Sequence, residues 1–544
     1  MLGQTESEGR STPKTETQRQ IGPAGQVCRY LLEMFSVPLL RSHATVSLVD
    51  RDRLQLYHAN HSVIVVSSAI NFSGGDGLKM FIATIIAFRY LSPEQNGILE
   101  TLFQKNTALV QNSKIAADDK VVQKGGVLVF TGNGPDENFE VELGEMISRD
   151  PAVVGRSTAV VDAISDKWLA ETKLVMKASW PGSRRVPETD FLEKACEEAE
   201  KTKGEWALKH LPRTFHARDI TFGPESTLGR VARLFQDAEF VDKKFHYERR
   251  TLRVIIQERL YSIKSLKNVK DIGQVFVDVA CSTCAHFSHR FPCAYAGSVH
   301  RWLFDEPGIL HRDLSLNNIM CRIVEDLGAE DKVHVYGVLT DYDLSSWTAS
   351  LRTDYTKTSQ QRTGTPPYMA HELLTGASDI HLYRHDVESL FYIMLLLCAR
   401  HEFDPSGEAE RPVVMREGEI PYGDWFNEQN YGKLGIFKAY FFSQMGAIEL
   451  SPAFEDIRKW LVHLQYCFSD GFELKNSYKK RKERAGDSAG ELPPFDDETL
   501  GGQINYSSLI EPARRLKGEL EGLTVRYTSP SPPPTSVGVV QADA

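Results

Sequence analysis

The residues with the clearest chemical potential lie together in segment 309–320, which reads I-L-H-R-D-L-S-L-N-N-I-M. Asp313 offers a carboxylate that can orient an attacking hydroxyl group and accept its proton. Asn318, five residues later, offers an amide oxygen that can hold a magnesium ion against a triphosphate. The apolar residues at both ends predict short strands that fix this loop against a core. The spacing therefore indicates phosphoryl transfer, with Asp313 as the base and Asn318 as a metal ligand.

Segment 309–320 matches the catalytic-loop pattern of protein kinases, H-R-D-L-x-x-x-N. Three further motifs follow it in an order that supports this chemistry. Asp341 ends a short, partly apolar run, where a kinase has its second magnesium ligand. Segment 364–372, G-T-P-P-Y-M-A-H-E, is close to a kinase substrate platform, and Asp386 opens an apolar helix. Four ordered motifs at these spacings predict a protein-kinase fold.

The composition is that of an ordinary globular chain, with 544 residues, 41% hydrophobic and 25% charged. A net charge of −10 argues against a nucleic-acid partner, which would require a basic surface. The longest apolar runs, 80–88 and 390–399, are only about half the length needed to cross a bilayer, so they predict buried core helices and no membrane partner. The eight cysteines and the polar N-terminus predict an intracellular protein with free thiols, in the cytoplasm, the nucleus or both.

The pattern along the chain predicts an α+β, bilobal kinase-like fold with disordered termini. A lead rich in Ser, Thr, Gln and Glu at 1–24 is expected to be disordered. Runs of β-branched residues predict a strand-rich extension over 25–140. A β-rich N-lobe at 141–262 and a helical C-lobe at 263–475 follow. The remainder, 476–544, is expected to be a basic and acidic linker with a Pro-rich disordered tail.

The predicted N-lobe contains candidate nucleotide-binding residues. A hairpin around Gly155 is expected to cover the ATP phosphates with its backbone amides, although it has one glycine where kinases usually have three. The hairpin residues selected are Gly155, Arg156, Ser157 and Thr158. Lys177 ends an apolar strand and is predicted to hold the α- and β-phosphates while pairing with a helix glutamate. The strand at 252–260 predicts an interlobe hinge, in which Glu258 and Leu260 lie against adenine.

Two glutamates compete as the partner of Lys177. Glu188 is favoured over Glu193 because Phe191 and Leu192 follow Glu188 at the spacing of a core-facing helix. The other acidic residues of this helix are expected to be solvated.

The activation segment, 341–372, is polar and rich in hydroxyl groups. Arg312, beside the catalytic aspartate, can pair with a phosphate placed on this segment, so phosphorylation is a hypothesis for its regulation. The Gly-Thr-Pro-Pro-Tyr sequence favours Ser/Thr over Tyr substrates. The residues selected for this region are Arg312, Thr363, Thr365, Glu372 and Asp386.

Segment 281–298 differs abruptly in composition from its surroundings, with three cysteines and two histidines within 281–293. One interpretation is a small zinc site, since thiolates and imidazoles can complete a tetrahedron. The other is an inserted segment, including one left by a retained intron. The tight spacing matches no familiar zinc module, and deleting 283–298 joins the flanks into one amphipathic helix. These features favour the insertion.

The sequence resembles the fungal-type protein kinase family over roughly residues 46–468. Besides the catalytic loop, the shared stretches are Y-E-R-R-T-L-R-V-I-I at 247–256, V-H-R-W-L-F at 299–304, D-Y-D-L at 341–344, R-T-G-T at 362–365 and D-x-E-S-L-F-Y at 386–392. The resemblance implies a bilobal kinase fold, ATP and magnesium as cofactors, and transfer of the γ-phosphate to Ser or Thr of a protein substrate. It leaves the oligomeric state open.

Two departures from ordinary kinases bear on activity. Ser315 stands where Ser/Thr kinases usually have a lysine that contacts the transferring phosphate, and losing such a contact costs roughly 10²–10³-fold in rate. Asp343 replaces a glycine, which restricts the backbone and adds a carboxylate near the metal ions. Because neither change removes a metal ligand or the base, a slow kinase is favoured over a nucleotide-binding pseudokinase scaffold. A small-molecule phosphotransferase ranks third, since that class usually has H-G-D and lacks the platform.

Overall fold

The structure is a computed structural model. It describes residues 22–36, 40–99, 126–130, 138–168, 172–202, 204–236, 247–280, 299–325, 333–349, 364–404, 412–486 and 492–505. The predicted insertion at 281–298, its alternative zinc site, Thr363 and the Pro-rich tail lie outside the described residues. Two compact units divide the chain. Within the described residues, the first unit is drawn from 1–171, 175–183 and 219–254, and the second from 172–174, 184–218 and 255–544.

Helices and strands are numbered in chain order within the described residues. The helices are α1 (Pro23–Ser36), α2 (Gly75–Tyr90), α3 (Glu188–Thr202), α4 (Thr227–Gln236), α5 (Val269–Ala280), α6 (Val299–Asp305), α7 (His371–Thr375), α8 (Tyr383–Arg400), α9 (Asp424–Asn427), α10 (Tyr431–Ser443) and α11 (Arg458–Ala485). The strands are β1 (His43–Asp50), β2 (Arg53–Asn60), β3 (Val63–Val66), β4 (Ile70–Asn71), β5 (Val127–Phe130), β6 (Phe139–Asp150), β7 (Thr158–Ile164), β8 (Leu174–Ser179), β9 (Thr214–Ile220), β10 (Leu252–Glu258), β11 (Tyr261–Ser262), β12 (Ile309–Leu310), β13 (Ile319–Glu325), β14 (Val333–Leu339), β15 (Ser346–Trp347), β16 (His401–Phe403) and β17 (Val413–Met415).

The first unit begins with a four-stranded antiparallel sheet, as the β-branched runs predict. Strands β1, β2 and β3 lie in that order and β4 pairs with the other end of β2. Helix α1 covers this sheet because Val27, Leu31 and Phe35 recur every four residues along one face and are all buried. Their partners include Ala44 and Tyr57 of the sheet.

Helix α2 contradicts the predicted buried helix. None of its residues is buried, and Met80, Ile82, Ile85 and Ile86 are each about half exposed. The prediction was wrong because an apolar run shows only that a segment can be buried, not that another element packs on it. Phe81 stacks on Phe72 just outside the helix, with ring centroids 4.3 Å apart. None of the helices in the described ranges combines the length and apolar character needed to cross a bilayer.

A six-stranded sheet follows in the order β5-β6-β7-β8-β10-β9. Strands β6 and β7 form an antiparallel hairpin whose register shifts near Met146. Strand β8 is buried along its whole length, including Lys177 and Ser179, as expected for a strand inside a sheet. These strands agree with the strand content predicted for 141–262.

The core of the second unit forms around α8, in which every residue is buried. Aromatic side chains from α8, α10 and α11 pack together, including Phe391, Phe442 and Phe468 at centroid separations of 5.3–5.9 Å. Burying each such ring stabilises the fold by about 1.5–3 kcal/mol. The predicted buried helix at 390–397 is confirmed.

The second unit continues beyond residue 475, where the sequence predicts a linker. Helix α11 runs on to Ala485, and residues 492–505 return to the core. Leu500 and Ile504 are completely buried there. The acidic composition of this stretch is typical of a linker, but two apolar side chains suffice to anchor it.

Candidate active site

Short strands hold the predicted catalytic loop at both ends. Before the loop, β12 pairs with β15, and after it β13 pairs with β14, in agreement with the sequence prediction. Asp313 and Asn318 are both buried, and Nδ2 of Asn318 donates to the carbonyl oxygen of Asp313 at 2.7 Å. Because its amide nitrogen is used in this bond, the amide oxygen of Asn318 is the atom available to a metal ion.

Two residues of the site have strained backbones. Arg312 has φ 68° and Asp341 has φ 65°, in the left-handed region that non-glycine residues rarely adopt. Each such residue costs about 1–3 kcal/mol and persists only where its surroundings enforce it. The backbone N–H of Arg312 donates to Oδ2 of Asp386 at 3.1 Å, and Nε2 of His311 lies 3.0 Å from the carbonyl oxygen of Thr340. These hydrogen bonds fix the backbone conformation of the two segments that are predicted to be catalytic, one at Arg312 and one at Asp341.

The carboxylate of Asp386 is the anchor of the catalytic loop. Besides the Arg312 amide it contacts Nε2 of His300 at 3.1 Å and Nε2 of His381 at 2.7 Å. Burial alone would raise the pKa of Asp386, but these two histidines hold it well below its usual range. The sequence indicates Asp386 because this residue opens a predicted apolar helix. It does not reveal His300 and His381, which lie 86 and 5 residues away in the chain.

Three carboxylates gather beside the catalytic loop. One oxygen of each of Glu188, Asp341 and Asp343 lies within 4.8 Å of the others. Glu188 and Asp343 are buried and Asp341 is half-buried. Thr340 joins this cluster to the catalytic loop, since its N–H and hydroxyl group both donate to the carbonyl oxygen of Asn318, at 2.9 and 3.1 Å. Carboxylate and amide oxygens are the ligands that magnesium prefers, so Asp341 and Asn318 fit such an ion.

Glu188 is the first residue of α3 and is 1% exposed, whereas Glu193 lies exposed on the same helix. Phe191 and Leu192 are buried, as the predicted spacing requires, and Phe191 packs on Trp347 with centroids 4.5 Å apart. Trp347 belongs to β15, the partner of β12. This contact joins α3 to the strand pair that precedes the catalytic loop, within the second unit.

The substrate-platform segment contacts the catalytic loop directly. The hydroxyl group of Thr365 donates to Oδ1 of Asp313 at 3.2 Å. At the other end, the carboxylate of Glu372 pairs with Lys475 at 2.9 Å and with Arg384. Burial opposes the charge on Glu372, but His385, Arg384 and Lys475 together hold its pKa far below the usual range. Glu372 therefore fixes the end of the platform to α8 and α11.

Residues 492–505, called the C-terminal stretch below, contribute to the ion-pair network around Glu372. Arg384 donates through Nε to the carbonyl oxygen of Asp497 at 2.6 Å, and the Asp497 carboxylate lies 2.7 Å from Nζ of Lys475. The backbone N–H of Tyr383 donates to Oε1 of Glu498 at 2.7 Å. The sequence selects Glu372 but gives no sign of these partners, because they follow it by more than 100 residues.

Arg312, predicted to pair with a phosphate, has a different partner in the structure. Its Nη1 donates to Oγ of Ser346 at 2.5 Å. The side chain is 7% exposed, and burial lowers its pKa from the usual value. Ser315, at the position of the usual lysine, is also buried, and its carbonyl oxygen accepts the N–H of Asn318 at 3.0 Å.

The predicted phosphate-loop residues belong to the first unit and form the turn between β6 and β7. Gly155 has φ 143°, Ser157 has φ 42°, and Thr158 begins β7. The carbonyl oxygen of Arg156 accepts the N–H of Trp180 at 2.6 Å, which ties the turn to the end of β8. Lys177 lies within β8 and is 7% exposed. The predicted hairpin and lysine-bearing strand are confirmed as elements.

The predicted hinge residues lie at the end of β10 in the second unit. The N–H of Glu258 donates to the carbonyl oxygen of Arg213 at 3.0 Å, and the N–H of Arg259 to that of Lys173 at 2.8 Å. The Glu258 carboxylate binds Arg322, a contact that the sequence does not indicate. Leu260 follows the strand and is half-buried.

Comparison with known proteins identifies the class of protein. A family described as fungal protein kinase matches residues 8–267 and 295–398. This match spans well over half of the chain, and the chain belongs to that family. The unmatched stretch, 268–294, contains most of the predicted insertion. No curated protein matches the chain. Among solved structures, the Cydia pomonella granulovirus kinase PK-1 is similar, with 9% identity and a TM-score of 0.27, over 54% of this chain and 85% of that one.

Proposed function

We propose that the protein is an ATP- and magnesium-dependent kinase that phosphorylates Ser or Thr residues of protein substrates. The observation that carries this proposal is the contact between Thr365 and Asp313, which joins a substrate platform to a catalytic carboxylate. Membership of the fungal protein kinase family supports phosphoryl transfer as the reaction class.

In the proposed reaction Asp313 orients the acceptor hydroxyl group and receives its proton as that oxygen bonds to the γ-phosphorus. The bond between the γ-phosphorus and the β,γ-bridging oxygen breaks, and ADP leaves. Magnesium, when bound, supplies positive charge against the phosphate oxygens, and Asn318 and Asp341 are the residues that would hold it. On sequence grounds Lys177 is assigned to the α- and β-phosphates, with Glu188 as its predicted partner.

Further nucleotide contacts are proposed on sequence grounds. The turn at Gly155, Arg156, Ser157 and Thr158 would cover the phosphates with backbone amides. The chain at Glu258 and Leu260 would meet adenine. The division into a strand-rich extension, an N-lobe and a C-lobe, together forming a bilobal kinase, is proposed on the same basis.

The preference for Ser/Thr over Tyr is proposed from the Gly-Thr-Pro-Pro-Tyr sequence of the platform. Thr365 of this sequence donates its hydroxyl group to Oδ1 of Asp313. Ser315 leaves the transferring phosphate without the usual lysine, so we expect slow turnover.

A second candidate is a pseudokinase that binds nucleotide and scaffolds partners. The specific observation in its favour is Asp343, a buried third carboxylate beside Glu188 and Asp341. The third carboxylate and the missing lysine would make a poor environment for the phosphate, while metal and nucleotide would still bind.

The test is transfer from γ-labelled ATP to dephosphorylated casein with magnesium present. The wild type is compared with Asp313→Ala, Asp341→Asn and, as control, Asp379→Asn, whose aspartate is exposed on the surface. Label that appears with wild type and control and vanishes with both site variants supports the kinase. Tight, magnesium-dependent ATP binding without transfer supports the pseudokinase instead.

A further inference from the structure

Lys438, in the middle of α10, carries a buried amino group that the proposed reaction does not use. It is completely inaccessible to solvent, and burial lowers its pKa well below the usual value, opposed by the nearby Glu388. An uncompensated buried ammonium group is very costly, so its partners show what it is for.

The polar partners of Lys438 are two carbonyl oxygens of the platform. Its Nζ donates to the carbonyl oxygen of Met369 at 2.6 Å and to that of Pro366 at 3.3 Å. The same Nζ lies 4.1 Å from the ring centroid of Tyr392 and 5.3 Å from that of Trp425. The carbonyl oxygens accept hydrogen bonds from Nζ and the ring faces favour positive charge on it, so the site fits the amino group of a lysine.

The opposite side of the site carries Glu388, which is also completely buried. Its Oε1 accepts from the backbone N–H of His371 at 2.8 Å and from the Tyr392 hydroxyl at 2.7 Å, and lies 3.0 Å from Nδ1 of His371. His371 lies near the end of the platform and is the first residue of α7. Glu388 and Lys438 therefore hold the platform from its end and from its middle.

The platform in turn contacts Asp313. The N–H groups of Tyr368 and Met369 donate to the carbonyl oxygen of Thr365 at 2.9 and 3.1 Å, and Thr365 donates to Asp313. A displacement of the Met369 carbonyl is transmitted through this turn to the hydroxyl group that lies on the catalytic carboxylate.

We propose that Lys438 is a positioning residue that, with Glu388, clamps segment 365–370 in the conformation that receives the acceptor chain. The inference deepens the proposed function and rests on it for its kinetic consequence. It assigns acceptor recognition to a group on α10, beyond residue 398 where the family match ends.

The experiment compares Lys438→Met, which keeps the length and removes the donors, with Lys438→Arg, which keeps charge and donors. Lys433→Met, an exposed lysine of the same helix, is the matched control. Steady-state kinetics use dephosphorylated casein and ATP, and amide hydrogen exchange is followed at Tyr368 and Met369. Tyr392→Phe, which removes only one donor to Glu388, replaces Lys438→Met if that variant does not fold.

We expect Lys438→Met to raise the KM for casein and the exchange rates of the two amides about tenfold each, with the KM for ATP unchanged. Lys438→Arg should recover part of both effects, and Lys433→Met should show neither. Faster exchange with an unchanged casein KM would overturn the role in acceptor recognition. Unchanged exchange would overturn the clamp itself. If the wild type transfers no phosphate, the proposed function fails separately, and the exchange comparison alone decides on the clamp.

Discussion

The hydroxyl group of Thr365 donates to Oδ1 of Asp313 across 3.2 Å, although the two residues are 52 positions apart in the chain. This contact joins the platform to the catalytic loop within one compact unit. It orients the carboxylate that is proposed to receive the proton of the acceptor hydroxyl group.

Replacing Thr365 with valine should therefore lower kcat about tenfold to a hundredfold, because the isosteric side chain cannot hold the carboxylate. Thr365→Ser should retain most activity, since it keeps the hydroxyl group. Initial rates with saturating ATP measure the effect, and ATP binding serves as the control for intact nucleotide recognition. Equal rates for the valine and serine variants would show that the hydrogen bond has no catalytic role.

Asp343 should increase the attraction of the site for magnesium, because its carboxylate lies within 4.8 Å of those of Asp341 and Glu188. We expect Asp343→Asn to raise the magnesium concentration for half-maximal ATP binding about tenfold, as expected from losing one charge at short range. Titration of ATP binding with magnesium measures this, and Asp379→Asn is the exposed control. An unchanged midpoint would place Asp343 outside the metal environment.

The sequence predicts well those parts of the fold in which local pattern decides. Strand β8 and helix α8 form where the apolar runs at 174–176 and 390–399 predict them, and both elements are buried over their whole length. The catalytic segment 309–320 is predictable because its chemistry needs particular residue types at fixed spacing.

The sequence fails where long-range packing decides. Helix α2 is as apolar as a core helix yet exposed, because no pattern within a segment identifies what packs on it. Residues 492–505 look like a linker yet contribute Leu500 to the core and Asp497 to the partners of Arg384. His381 and Lys438 are likewise ordinary in sequence, and only the fold brings them to Asp386 and the platform.

His210 should make the protein less stable in mild acid. It is buried, its Nδ1 lies 2.8 Å from the carbonyl oxygen of Gly337, and burial lowers its pKa to about 4. An unfolded histidine takes up a proton near its ordinary pKa of about 6.5, so the unfolded state binds more protons as pH falls from there to about 4. The free energy of unfolding therefore decreases over that window.

Urea unfolding midpoints between pH 7.5 and 4.5 test this contribution. His210→Asn should be less stable at neutral pH. Its free energy of unfolding should also depend less steeply on pH than that of the wild type, by an amount that corresponds to about one proton taken up on unfolding. His463→Asn, in which the histidine is exposed, is the control and should keep the wild-type slope. Identical slopes for wild type and His210→Asn would contradict the assignment.

The C-terminal stretch should contribute substantially to the stability of the second unit. Leu500 is completely buried, so Leu500→Ala should lower the free energy of unfolding by about 2–5 kcal/mol through lost burial and a cavity. A methyl group added at Gly471 of α11 would lie 2.7 Å from Cβ of Leu500, so Gly471→Ala should destabilise the same contact from the other side. Ile436→Ala, at a residue 62% exposed, is the control and should change stability by less than about 0.5 kcal/mol.

If urea unfolding shows all three variants alike, the stretch is not part of the cooperative core. A loss confined to Leu500→Ala and Gly471→Ala would establish that the folded unit includes this stretch, because Gly471 of α11 and Leu500 pack directly against each other.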